Sequence, residues 1–165
     1  MADTALRRNM PETDEHGDEP LLHFDRVGIG RLRDRLREAN TSNPQFEPQE
    51  ARLFEVLQTV LQRLQTELAD KIERVVAVGN WARHGVDLRN LPFDDVVLLI
   101  VLRQRERPFS LYLQIADRVF ADLGDDDVLV QFRLATLEEW HADSESARRR
   151  GVPDALGIPL LTRTG

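Results

Sequence analysis

The sequence predicts an α/β (α+β) domain built on a small mixed sheet flanked by helices. Two observations lead there. The first half of the chain carries apolar residues three and four apart, the helical period, whereas the second half breaks into short apolar runs of strand length. Those runs then alternate with amphipathic segments, the order expected of helices packed on a sheet rather than of a bundle or a sandwich.

The elements follow in chain order. Residues 1–20, MADTALRRNMPETDEHGDEP, mix acids, Pro and Gly with few apolar groups and are expected as a disordered acidic tail, since they bury too little surface to offset ordering entropy. FDRVGIGRLRDRLREAN reads as a short amphipathic helix with Ile29, Leu32 and Leu36 on one face and arginines on the other. Its GIG is no phosphate loop, because no strand is expected before it and the third glycine is missing. TSNPQFEP is a linker with two prolines, which closes a helical extension over residues 21–47. The main domain is expected over 48–165. Pro48 suits the first turn of a helix running to about Ala69, whose Phe54, Leu57, Leu61, Leu64 and Leu68 form one stripe. The stripe lasts only about two heptads, so packing on the domain's own sheet is expected over a coiled coil.

RVVAVG then reads as a strand, Val75 to Val78, ending at Gly79. DVVLLIVL reads as a second strand, and its lack of alternation implies that both faces are covered. PFSLYLQIADRVFADLG is an amphipathic helix with Gly124 as C-cap candidate, and DVLVQFRL is a third strand. Thr136 and Glu139 have the spacing of a capping box and open another helix. After a turn, the apolar segment Ile158 to Leu161 ends the pattern.

Composition narrows the function. A chain of 165 residues with 41% hydrophobic and 31% charged residues fits one soluble domain with a tail. The net charge of −7 argues against non-specific binding to nucleic acid or to anionic membranes. With no cysteine, disulfides, thiolate catalysis and Cys-ligated zinc are excluded. Lys71 is the sole lysine, so a P-loop or Schiff-base lysine is excluded elsewhere. No apolar h-region occurs in the first twenty residues, and Val96 to Leu102, the longest apolar run, is too short to cross a bilayer. A cytoplasmic setting without a membrane partner is the expectation.

The chemistry concentrates in VVAVGNWARHGVDLRNLPFDDVVLLIVLR, Val75 to Arg103. A strand ends at Gly79-Asn80, a helix starts, and a second strand is entered through Asp94 and Asp95. This arrangement resembles the nucleotidyltransferase superfamily, whose hallmark is a Gly-Ser turn followed about a dozen residues later by Asp-x-Asp at the start of the next strand. A third acid comes from a neighbouring strand. VGNWARHG is similar to the glycine turn, with Asn80 in the serine position and Arg83 in that of the usual basic residue, and FDDVVLLIV is similar to the aspartate strand. The likeness extends over roughly residues 74–163 and implies a nucleotidyltransferase-like fold. It also implies transfer of a nucleoside monophosphate from a nucleoside triphosphate to a hydroxyl acceptor. Two Mg²⁺ ions roughly 4 Å apart would stabilise the attacking and leaving oxygens. On that resemblance Gly79, Asn80, Arg83 and His84 hold the triphosphate, through backbone N–H groups and a guanidinium, while Asp94 and Asp95 are the metal-binding and catalytic residues.

The sequence departs from the pattern. Its aspartates are adjacent where Asp-x-Asp has them two apart, and in a regular strand only one of two adjacent side chains points to a given face, unless a bulge re-aims the second. The third strand holds no carboxylate between Val128 and Leu134; Gln131 is its neutral polar residue there, and Asp126 and Asp127 stand at its entrance. The expectation is therefore a domain of this superfamily with a degenerate metal site. The alternative is a non-catalytic binding or scaffold module acting through a protein partner. Outside this stretch, His16, His23 and His141 lack metal-ligand spacing. Ser146 to Arg150, SARRR, reads as a solvated helix end. Trp81 and Trp140 read as packing residues, with base stacking as the other reading of Trp81.

Overall fold

A computed structural model of the chain describes residues 22–88, 93–123, 128–150 and 157–163; for Phe93, Asp94, Asp95, Val128 and Leu129 it describes the backbone alone. The acidic tail, Gly124, Asp126, Asp127 and the turn before Ile158 lie outside the described residues. Within them the elements run β1 (Leu22–Phe24), α1 (Arg26–Ala39), α2 (Phe46–Glu67), β2 (Ile72–Val78), α3 (Asn80–His84), β3 (Phe93–Leu102), α4 (Phe109–Arg118), β4 (Val128–Thr136), α5 (Leu137–Arg149) and β5 (Ile158–Arg163).

The strands form one mixed sheet in the order β1-β5-β2-β3-β4. The β1/β5, β5/β2 and β2/β3 pairs are antiparallel, and only β3/β4 is parallel. The parallel pair is the one joined through a helix, α4, as a crossover requires. Helices cover both faces. On one side α1, α2 and α4 contribute Leu32, Leu57, Leu64 and Ile115 to a core that takes Val75, Ala77, Leu98 and Ile100 from the sheet. On the other, Trp140 of α5 packs with Val76 and Val101. Adjacent residues of β2 and β3 thus enter different cores, which is why these strands show no polar alternation.

Leu57, Leu61 and Leu64 of the α2 stripe are buried, so the stripe faces the domain itself rather than a partner helix. The expected capping box is present: Glu139 N donates to Thr136 Oγ1 at 3.1 Å and Thr136 N to Glu139 Oε1 at 2.8 Å. The N-terminal segment differs from expectation. A strand does precede GIG, since β1 pairs with β5 from Leu22↔Arg163 to Phe24↔Leu161. Three residues are too few for a legible period, and the pairing partner lies at the far end of the chain. Asp25 caps α1 by accepting from Gly28 N at 2.9 Å. Gly28 serves packing: a Cβ there would meet Pro159 O at 1.8 Å, so its absence lets α1 lie directly on β5. Pro159 in turn occupies an interior strand at a register shift, where a missing N–H is tolerated.

Candidate functional site

The sheet brings four chain segments to one of its ends. Val78, the last residue of β2, pairs with Val97, and Phe93 pairs with Val128 across the parallel pair. Ala77 pairs with Ile158, the first residue of β5. The exit of β2 and the entrances of β3, β4 and β5 therefore share this edge, and Gly79 and the Asp94-Asp95 backbone stand next to each other on it.

Gly79 has φ 92° and ψ −168°, a region open essentially to glycine alone, and no atom lies within 4 Å of where its Cβ would stand. The backbone turns sharply and stays approachable from outside. Ala82 N and Arg83 N both return to Gly79 O at 3.2 Å, starting the single turn of α3. The first N–H groups of such a turn have no acceptor within the helix. Asn80, Arg83 and His84 are exposed on the outer side of α3, and none of the three makes an ion pair with a described residue. The inner side is anchored. Trp81 is fully buried and its Nε1 donates to Val97 O at 3.1 Å, tying α3 to β3. Trp81 is thus a packing residue, and its indole is not presented for base stacking.

Arg35 of α1 and Asn40, the C-cap of that helix, hold the same turn and escaped the reading of the sequence. Arg35 Nη1 donates to Ala82 O at 2.7 Å. Asn40, 4% exposed, donates through Nδ2 to Leu36 O (2.7 Å) and Val86 O (2.8 Å), and accepts from Leu88 N (2.8 Å) and Asn43 Nδ2 (3.0 Å). Its amide closes the loop after α3 with every polar position used. Gly85, with φ 77°, lets this loop lie against α1: a Cβ there would stand 2.5 Å from Arg35 O. Nothing around Arg35 and Asn40 in the sequence hints at this, because Ala82, Val86 and Leu88 lie more than forty residues further along the chain.

The entrance of β3 is not a regular strand. Between the pairs Phe93↔Val128 and Val96↔Val130 three steps on β3 match two on β4, so β3 carries one extra residue at Asp94-Asp95. Alternation separates these carboxylates only in an uninterrupted strand, and an extra residue of this kind suspends it locally. The side chains of Asp94 and Asp95 lie outside the described residues. On β4, Gln131 stands level with Val97, is exposed and has a partner of its own. From Val130 to Thr136 this strand offers no carboxylate. Further off, Arg149 pairs with Glu145 at 2.9 Å on the exposed end of α5, as a solvated helix end should.

Comparison with protein-family models, with curated proteins and with solved structures finds no match to this chain. Among the described residues, no helix is long and apolar enough to cross a membrane.

Proposed function

We propose that this chain is a nucleotidyltransferase-like domain that binds a nucleoside triphosphate at the Gly79 turn and holds a reduced metal set at Asp94 and Asp95. The observation that carries this reading is the juxtaposition of an open, glycine-only turn with an extra residue in the neighbouring strand at the two aspartates. Strand, glycine turn, one helical turn and an antiparallel strand entered through aspartates occur in space in the order the sequence resemblance implies.

The roles follow from position. Backbone N–H groups at Gly79 and Asn80 approach the triphosphate, because nothing fills the space beside Gly79. Arg83 supplies a guanidinium suited to bidentate contact with phosphate oxygens. Trp81, Arg35 and Asn40 keep this turn fixed relative to β3, so that less order has to be created on binding. Bound at Asp94 and Asp95, Mg²⁺ would neutralise phosphate charge. Gln131, level with Val97 on β4, is the neutral polar residue of that strand and cannot supply the charge of a third carboxylate. Nucleotide binding is therefore the primary property, with transfer to a hydroxyl acceptor weak or absent.

The test uses the Trp140→Phe variant, in which Trp81 is the sole tryptophan and sits beneath the turn. Nucleoside triphosphates are titrated with and without Mg²⁺ while Trp81 emission and melting temperature are followed. Saturable binding strengthened by Mg²⁺ supports the reading, and no response to any triphosphate removes it. Pyrophosphate release, measured in parallel, separates an active enzyme from a binding domain.

One observation favours a second reading, a module that engages a protein partner. On α4, Phe109 (71% exposed), Tyr112 (42%) and Leu113 (44%) present an apolar surface, with Phe109 and Tyr112 stacked at 6.1 Å. Exposed apolar groups gathered in this way mark contact surfaces more often than scattered ones do. Loss of a partner on Phe109→Ser, with nucleotide binding absent, would select this reading.

A further inference from the structure

A cavity lies away from the Gly79 turn and shares no residue with it. It opens between α1 and α2 on the helical face of the sheet, with a volume of about 230 Å³. Leu57, Leu61 and Leu160, each at most 3% exposed, form its floor. Phe24, Ile29 and Phe54 are its half-buried walls. The cavity continues into an open groove along the start of α1, edged by Arg26, Gly30 and Arg33.

Charge, shape and helix chemistry agree on an occupant. Among the described residues, the lining of cavity and groove includes two arginines and no acid, in a chain of net charge −7. Neither Arg26 nor Arg33 makes an ion pair with a described residue, although Arg33 lies over the Phe54 ring at 4.4 Å. Stacked in this way, its guanidinium is held at the mouth with its edge donors available. Gly30 is the third observation. Glycine inside a helix is unfavourable relative to alanine, and at Gly28 close approach to Pro159 explains it. At Gly30 nothing lies within 4 Å of the Cβ position, so no close approach explains it there. What the missing side chain does is leave the groove open.

We infer that this groove binds a small amphipathic carboxylate, with its apolar chain on Leu57, Leu61 and Leu160 and its carboxylate between Arg26 and Arg33. The volume of about 230 Å³ suits an apolar chain of medium length. An apolar body in an apolar cleft with a few placed polar groups at the mouth is the usual construction of a small-molecule site.

The experiment titrates the full chain with sodium octanoate, 1-octanol and octylamine by calorimetry. Octanoate is expected to bind at least tenfold more tightly than octanol, with octylamine weakest. Gly30→Leu, which has free space and a better helix former, is expected to keep the fold by circular dichroism and to weaken octanoate at least tenfold. Arg26→Gln combined with Arg33→Gln is expected to bring octanoate down to the octanol level. Equal affinity for octanoate and octanol, or undiminished binding in folded Gly30→Leu, overturns the inference. So does octanoate binding that appears only after removal of residues 1–20, which would assign the groove to the chain's own acidic segment. A dimer dissociated by octanoate would assign it to a second copy and overturn it equally.

Discussion

Asn40 Nδ2 donates to Val86 O at 2.8 Å, so that one buried side chain at the end of α1 fixes the loop that leaves the Gly79 turn. Asn40→Ala would strip Leu88 N and the carbonyls of Leu36 and Val86 of this partner in a dry setting. The expected loss is roughly 2–4 kcal/mol by urea unfolding, since each orphaned buried group costs on the order of 1–3 kcal/mol. Asn40→Asp makes a sharper test. The introduced carboxylate can accept from Leu88 N and cannot donate to the two carbonyls. Burial beside those carbonyls raises its folded pKa above its unfolded value. Its stability relative to the unsubstituted chain is therefore highest below about pH 4 and falls as pH rises through the folded value. Unfolding curves of both proteins at about pH 5 and pH 7 measure this, and a gap that does not widen at the higher pH contradicts the assigned bonding.

The glycines at the two ends of α3 should differ in sensitivity. Both have positive φ with extended ψ, a conformation costing about 1–3 kcal/mol for any other residue. Only at Gly85 does a Cβ also meet backbone, Arg35 O at 2.5 Å. Gly85→Ala is expected to cost more than Gly79→Ala in thermal unfolding, while Gly79→Ala takes the larger toll on nucleotide binding. The opposite ranking in either measurement would contradict the turn as described.

On the proposed function, variants of Arg83 and Asp95 would separate phosphate contact from metal contact. Arg83→Ala should weaken triphosphate binding about tenfold with and without Mg²⁺, as loss of one charge-assisted contact implies. Asp95→Ala should leave metal-free binding unchanged and abolish the gain from Mg²⁺. Titrations of both variants at fixed ionic strength decide this, and a metal-dependent effect of Arg83→Ala would show that the roles are misassigned.

Arg163 closes the other end of the sheet. Its Nη2 donates to Ala69 O and Ile72 O, and its Nε lies 3.7 Å from Glu73 Oε1. Burial first, and Arg103 second, lower its pKa from the ordinary arginine value, against the pull of Glu73 and Asp70. The sign is that of a cation opposed by its surroundings: the penalty exists below the folded pKa and is relieved only as pH rises through it. Arginine stays charged across the neutral range, so no stability change from this group is expected between about pH 6 and 9. Arg163→Met should cost about 2–3 kcal/mol by freeing two carbonyls, and Glu73→Gln about 1 kcal/mol, since the guanidinium keeps both. Chemical denaturation gives both values, and their order is the prediction.

What the sequence disclosed and what it hid divide along the range of the interactions. Val75 to Val78 and Val96 to Leu102 announce themselves, because burial on both faces demands apolar residues at every position. Thr136 and Glu139 are equally plain, since a capping box is complete within four residues. Gly79 stood out by ending a strand. The β1 strand has too few residues to show a period, and its pairing with Arg163 and Leu161 depends on the opposite end of the chain. Asn40 looks like any polar residue after a helix until Val86 and Leu88 are brought to it. The extra residue at Asp94-Asp95 is invisible in β3 alone, because a bulge is a count against a neighbour, here Phe93 to Val96 against Val128 to Val130.

The position of β5 sets an order of events. This strand, near the end of the sequence, lies between β1 and β2 near the beginning. While the chain is being made, β1 has nothing to pair with and one side of β2 stays bare until Ile158–Arg163 has emerged. The helices and the β2-β3-β4 half can form earlier, from neighbours close in sequence. The Gly79 turn belongs to that early half, yet the sheet under it is sealed last. Insertion of one late strand of long sequence separation is slow by its nature, and the uncovered flank of β2 is where a nascent chain would be open to strand exchange with another.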